Sequence, residues 1–161
     1  MSDAWYRDGL SFECTGCGRC CTGSPGYVWI LPEEMDEMAR YLGISTQGFV
    51  RRYSRWVDDR QSLTERAPGF DCVFLTRDRG CLVYPARPLQ CRTYPWWPEN
   101  LVSPGSWQQA ARACEGIRDH APIVPGDRIK EELAASRGRL RRGERRIDEW
   151  KPRATPRSEG Y

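Results

Sequence analysis

One histidine, His120, is all that the 161 residues contain. Neither a Cys/His/Asn constellation nor a paired nucleophile and base stands around it, so no catalytic group is assigned from sequence. Charge of one sign is scarce as well. Twenty-five Lys and Arg against 22 Asp and Glu leave +3, without the excess of a dedicated nucleic-acid binder or of an acidic solubiliser. No run of about eighteen apolar residues is present, and no basic segment followed by an apolar one opens the chain. A cytoplasmic setting with no membrane partner is the expectation. A hydrophobic fraction of 39% allows a core of modest size.

Against these shortages stand eight cysteines, four of them within FECTGCGRCCTG, residues 12–23. Thiols in a reducing compartment seldom persist as disulfides, and a secreted scaffold would call for a signal peptide. Burial as small hydrophobes suits Cys72 and Cys114 taken singly. It does not suit Cys14, Cys17, Cys20 and Cys21, which Thr15, Gly16, Gly18 and Thr22 surround in place of core residues. In C-x2-C two thiolates converge on one centre while intervening N–H groups point at sulfur, and glycines permit the tight turns. Cys14, Cys17 and Cys20 reproduce the first three cysteines of the bacterial ferredoxin run, which favours an iron–sulfur cluster; zinc, which more often uses two separated pairs, stays open. The fourth thiol, Cys21, is directly adjacent to Cys20. Neighbouring side chains diverge on a strand or helix, so the two are expected to serve two centres, or one cluster plus a spare thiol.

The other four cysteines fall in CVFLTRDRGCLVYPARPLQCRTYPWWPE and ACEGI. Residues 70–75 and 81–84 have strand composition around the turn Arg77-Asp78-Arg79-Gly80, which predicts a β-hairpin bringing Cys72 near Cys81. Pro85, Pro88 and Pro95 leave Cys91 on a turn or short helical piece. Arg87 and Arg92 flank it and are read as counter-charges to an anionic thiolate site, not as ligands. Eight thiols suit two four-coordinate sites, with Cys14, Cys17, Cys20, Cys21, Cys72, Cys81, Cys91 and Cys114 as the candidate ligands.

The C-x2-C-x2-CC run, the later C-L-V-Y-x2-RP-x2-C-R-x-Y-P stretch and the trailing C-E-G together resemble the YkgJ-type cysteine-cluster family, also known by its CxxCxxCC motif. The resemblance runs from about Phe12 to Gly116 and implies zinc, iron or iron–sulfur binding, usually with no defined biochemical role. A relative of the module occurs in flagellin lysine methylases. That activity is not carried over, since the chain shows no G-x-G-x-G loop after a strand.

The remaining segments read as scaffold. Residues 27–31 have strand composition, and Pro32 opens a helix carrying Met35, Met38, Ala39 and Leu42 that Gly43 ends. Ser45 or Thr46 caps a second helix with Phe49, Val50, Tyr53, Trp56 and Val57 on its apolar face. Over residues 127–150 a narrow stripe of Ile129, Leu133, Leu140, Ile147 and Trp150 lies beside a crowd of arginines at positions 137, 139, 141, 142, 145 and 146. That crowd could grip an acidic protein partner or nucleic acid, and interspersed acidic residues dilute it. The expected fold class is α+β. A single metal-stabilised domain over residues 1–125 sets helices around a short hairpin and the cysteine cluster, a basic helix over 126–150 packs on it, and a disordered tail fills 151–161.

Overall fold

A computed structural model describes residues 4–143, with side chains as far as residue 138. The fold is α+β: among the described residues, five α-helices and three two-stranded antiparallel sheets. β1 (Leu10–Ser11) pairs with β6 (Ile123–Val124), just before the last described helix, β2 (Ser54–Val57) with β3 (Arg60–Leu63), and β4 (Glu65–Arg66) with β5 (Asp71–Cys72). The helices are α1 (Pro32–Tyr41), α2 (Thr46–Tyr53), α3 (Leu89–Arg92), α4 (Pro104–Ala113) and α5 (Gly126–Gly143). No helix among the described residues is long and apolar enough to cross a membrane.

Local chemistry sets most helix ends. Pro32 opens α1, where its missing N–H costs no hydrogen bond. Gly43, at φ 69°, takes the left-handed turn that ends it. The Ser45 hydroxyl accepts the Gly48 N–H at 3.0 Å and starts α2. Met35, Met38, Ala39 and Phe49 are fully or nearly fully buried and form the first of two cores with Ile30, Leu63, Phe74 and Val83. Cys72 and Cys81 back onto this core. Tyr6, Trp96, Leu101, Trp107, Ile129 and Leu133 make the second core, against which Phe12 and Ile117 pack. Docking of α5 through Ile129 and Leu133 follows the anticipated stripe. Leu140, Ile147, Trp150 and most of the arginine crowd lie outside the described side chains.

Two sequence expectations change. The second helix ends at Tyr53, and Trp56 and Val57 lie on β2, with Trp56 53% exposed instead of in a core. The Ser54 hydroxyl bonds back to the Val50 carbonyl at 2.9 Å and to Gln61 at 2.6 Å. Asp58 takes φ 53°, so Asp58-Asp59 forms a two-residue hairpin loop that helical spacing had concealed. The hairpin expected over residues 70–84 is reduced to a bridge between Leu75 and Cys81, because Cys72 pairs with Glu65 of β4. Thr76 closes the intervening turn, its N–H donating to the Gly80 carbonyl at 2.9 Å. The strand expected over residues 27–31 contributes one bridge, Trp29 to Ser62.

Buried Glu34 couples this scaffold to the cysteine-bearing middle. Its carboxylate accepts the Leu31 N–H at the start of α1 and the Leu89 N–H at the start of α3, both at 2.8 Å. Glu34→Ala strands two amide donors, and a loss of about 2–4 kcal/mol in urea unfolding is expected. A loss under about 0.5 kcal/mol would show that the two amides find other acceptors.

Candidate metal centre

The N-terminal thiols are set in place by backbone contacts with the segments carrying the later ones. Before Cys14, the Glu13 N–H donates to the Gly116 carbonyl at 3.0 Å, and after it the Thr15 hydroxyl donates to Glu115 at 2.6 Å. Both lock this end of the run beside Cys114. A Cβ on Gly116 would stand 2.5 Å from the Glu13 carbonyl oxygen, so only glycine allows the approach. Gly18, at φ 71°, packs against the turn before Cys81, and a Cβ there would meet the Arg79 carbonyl oxygen at 2.8 Å. Beyond Cys21, the Thr22 hydroxyl donates to Asp71, next to Cys72, and the Gly23 N–H donates to the Gly69 carbonyl at 3.1 Å. Cys91 arrives on α3. Its neighbour Gln90 accepts the Trp29 N–H at 3.0 Å and donates to the Tyr27 carbonyl at 2.9 Å.

Thiols from distant stretches consequently act on one another. Cys20 and Cys21, on a single 3-10 turn (Arg19–Cys21), bring their sulfurs to 3.7 Å, with Cys20 exposed. Divergence was expected for this pair. The tight turn swings both side chains to one side instead, and the separation is close to the edge of a tetrahedral thiolate site, about 3.8 Å for metal–sulfur bonds of about 2.3 Å. The Cys21 thiol donating to Cys20 lowers the latter's pKa to about 7 against the cost of burial, with Arg87 helping. Cys21 is pushed upward by giving that hydrogen bond, then by burial and by the charges of Cys20, Cys72 and Cys91. Burial raises Cys72, Cys81 and Cys114, and the charge of Cys20 adds to each. Cys17 acts on Cys114 and on Tyr94, whose pKa rises to about 12 chiefly through burial. Cys14 is exposed.

The charge of Cys20 thus bears on Cys21, Cys72, Cys81, Cys114 and Tyr94 alike. The charge of Arg87 favours the thiolates of Cys20 and Cys81, its guanidinium stacked 3.6 Å from the Tyr84 ring centre and its Nε donating to the Tyr84 carbonyl at 2.9 Å. Arg92 is exposed at the end of α3, next to Cys91. Arg66, not singled out from sequence, lowers Cys72 through its charge. No sequence signal marks it, because the β4–β5 pairing is what brings it there. Tyr94 and Cys114 act on one another through the fold, a link with no sequence signal.

Among the described residues, no three Cys, His, Asp or Glu side chains are already closed to coordination distance. A bound ion would have to draw the sulfurs inward from an open cluster. The donor chemistry nevertheless fits a thiophilic centre: all eight cysteines are free, and guanidiniums adjoin the thiols.

Comparison with known proteins places this cluster in a family. The family model for CxxCxxCC, described as "Putative zinc- or iron-chelating domain", matches residues 13–115. The chain belongs to the CxxCxxCC family. Its match spans every cysteine of this CxxCxxCC domain, from Cys14 to Cys114. An uncharacterized protein of Methanocaldococcus jannaschii is 28% identical over 92 residues, covering 56% of this chain and 48% of that protein. The aligned part spans about half the length of that relative. No solved structure matches.

Proposed function

We propose that the protein binds metal through a thiolate centre built from Cys14, Cys17, Cys20, Cys21, Cys72, Cys81, Cys91 and Cys114. An iron–sulfur cluster is the favoured occupant and zinc the alternative. The observation that carries this reading is the convergence of the N-terminal run on the later cysteines, its backbone held beside Cys114 through Gly116, beside Cys81 through Gly18 and beside Cys72 through Thr22 and Asp71. A cluster would supply one-electron transfer, and zinc a cross-link alone. The chain's own groups have distinct tasks. Arg66 and Arg87 offset the negative charge of several thiolates, and the backbone approaches at Gly18 and Gly116 hold the loops in register. Exposure of Cys20 gives electrons or incoming ions a route to the set.

Anaerobic purification followed by metal analysis and a visible absorption spectrum tests the proposal. Iron with acid-labile sulfide and sulfur-to-iron charge-transfer bands is the expected outcome. Stoichiometric zinc in a colourless protein would select the alternative, and freshly isolated protein without either metal that takes up neither on reconstitution would refute the centre.

A further inference from the structure

We propose that the cleft beside the Thr76–Gly80 turn binds a small organic anion, a carboxylate or phosphate head carried on a short apolar body. The cleft has a volume of about 430 Å³, within the range of small-molecule sites. Arg66, Arg77 and Arg79 line it together with one carboxylate, Asp71. That carboxylate already accepts the Thr22 hydroxyl. Arg77 and Arg79 form no ion pair among the described residues, while the neighbouring Asp78 is engaged by the Thr76 hydroxyl.

The positive groups are held for use. Arg66 donates from Nη1 to the Val73 carbonyl at 3.3 Å and from Nη2 to the Leu75 carbonyl. Its fork is fixed before any ligand arrives, which reduces the entropy lost on binding. Arg77 and Arg79 rise from a closed turn, in which the Arg79 N–H donates to the Thr76 carbonyl at 3.0 Å and the Gly80 N–H donates to the Thr76 hydroxyl at 2.9 Å. Leu82, 53% exposed, adds an apolar surface to the lining. A bare inorganic ion would leave that leucine wet, whereas an anion with an apolar body would cover it. None of the eight cysteines lines the cleft, so the inference stands apart from the identity of the metal.

A ligand-observed NMR titration of the full chain as isolated, at constant ionic strength, tests this with benzoate, phenyl phosphate, inorganic phosphate and benzyl alcohol. Saturable binding of benzoate or phenyl phosphate is expected, and the tighter of the two names the head group. Benzyl alcohol and inorganic phosphate should each bind roughly ten-fold more weakly, one lacking the charge and the other the apolar body. Arg77→Gln/Arg79→Gln, on an exposed turn, should weaken binding about ten-fold with an unchanged melting curve. Unchanged affinity in the double variant, equal binding of benzyl alcohol, or failure of both aromatic anions to saturate would each overturn the proposal.

Discussion

Serine at Cys20 is expected to abolish stable metal loading, whereas serine at Cys14 should weaken it far less. The motif alone treats the two alike, as members of the same run. The fold separates them, because the charge of Cys20 acts on Cys21, Cys72, Cys81 and Cys114, whereas Cys14 is not among the charges acting on those thiols. Losing a partner that merely orients a ligand typically costs 10–100-fold in metal affinity. Loss of a thiolate shared by the whole set should therefore exceed about 100-fold for Cys20→Ser, with Cys14→Ser within about 10–100-fold. Competition against a graded series of chelators gives both numbers. Equal losses in the two variants would mean that the run binds as an isolated loop, without the later cysteines.

Removing the metal should loosen the segment from Cys72 to Cys114. The first core reaches this stretch through Phe74 and Val83, and the second through Trp96 and Trp107. Between them the chain is held by single turns, by the four-residue α3 and by contacts to the N-terminal run. Thiolate ligands organise only in the folded state, so binding free energy, of order 10 kcal/mol for a structural zinc site, becomes folding free energy. Trypsin should then cut the apo protein at Arg77, Arg79 and Arg92 much faster than the loaded one. An apo protein of equal resistance would leave the thiols as a peripheral delivery loop.

The apo state should also respond to pH in a definite direction. Burial raises Cys72, Cys81 and Cys114 above the ordinary thiol value, and the hydrogen bond to Cys20 together with burial raises Cys21. Raised thiol pKa values mean that the folded apo state favours the neutral forms. Their contribution is complete below the unfolded thiol pKa of about 8.5 and is lost as pH climbs through the higher folded values. Cys20 runs the other way, with its stabilisation present above the unfolded value and lost as pH falls through about 7. Four raised thiols outweigh one, so apo stability should fall above about pH 8.5. The loaded protein, its ligands already deprotonated, should stay level across that range.

The helical scaffold was legible because its signals are local. Pro32, Gly43 and Ser45 punctuate α1 and α2 through their own backbone and side-chain chemistry, and the cysteine run announces itself by spacing. The β2–β3 hairpin was not, since Phe49, Val50, Tyr53, Trp56 and Val57 satisfy a helical repeat by coincidence. What decides there is long-range: Ile30 donates to the Gln61 carbonyl and Leu63 to the Val28 carbonyl, at 3.0 and 2.9 Å. The candidate centre divides similarly. Arg87 could be picked out by its place beside Cys91, but Arg66, Glu34 and Gln90 reach the site through pairings between residues 7 to 61 positions apart. Convergence of Cys20 and Cys21 also escaped prediction, because side-chain direction on a single 3-10 turn is set by the loops packed around it.

X-ray absorption at the metal edge of the anaerobically purified protein tests thiolate ligation most directly. A first shell of sulfur at about 2.3 Å, lost in Cys20→Ser, is the expected result. A shell of nitrogen and oxygen at about 2.0–2.2 Å, unchanged by that substitution, would contradict it.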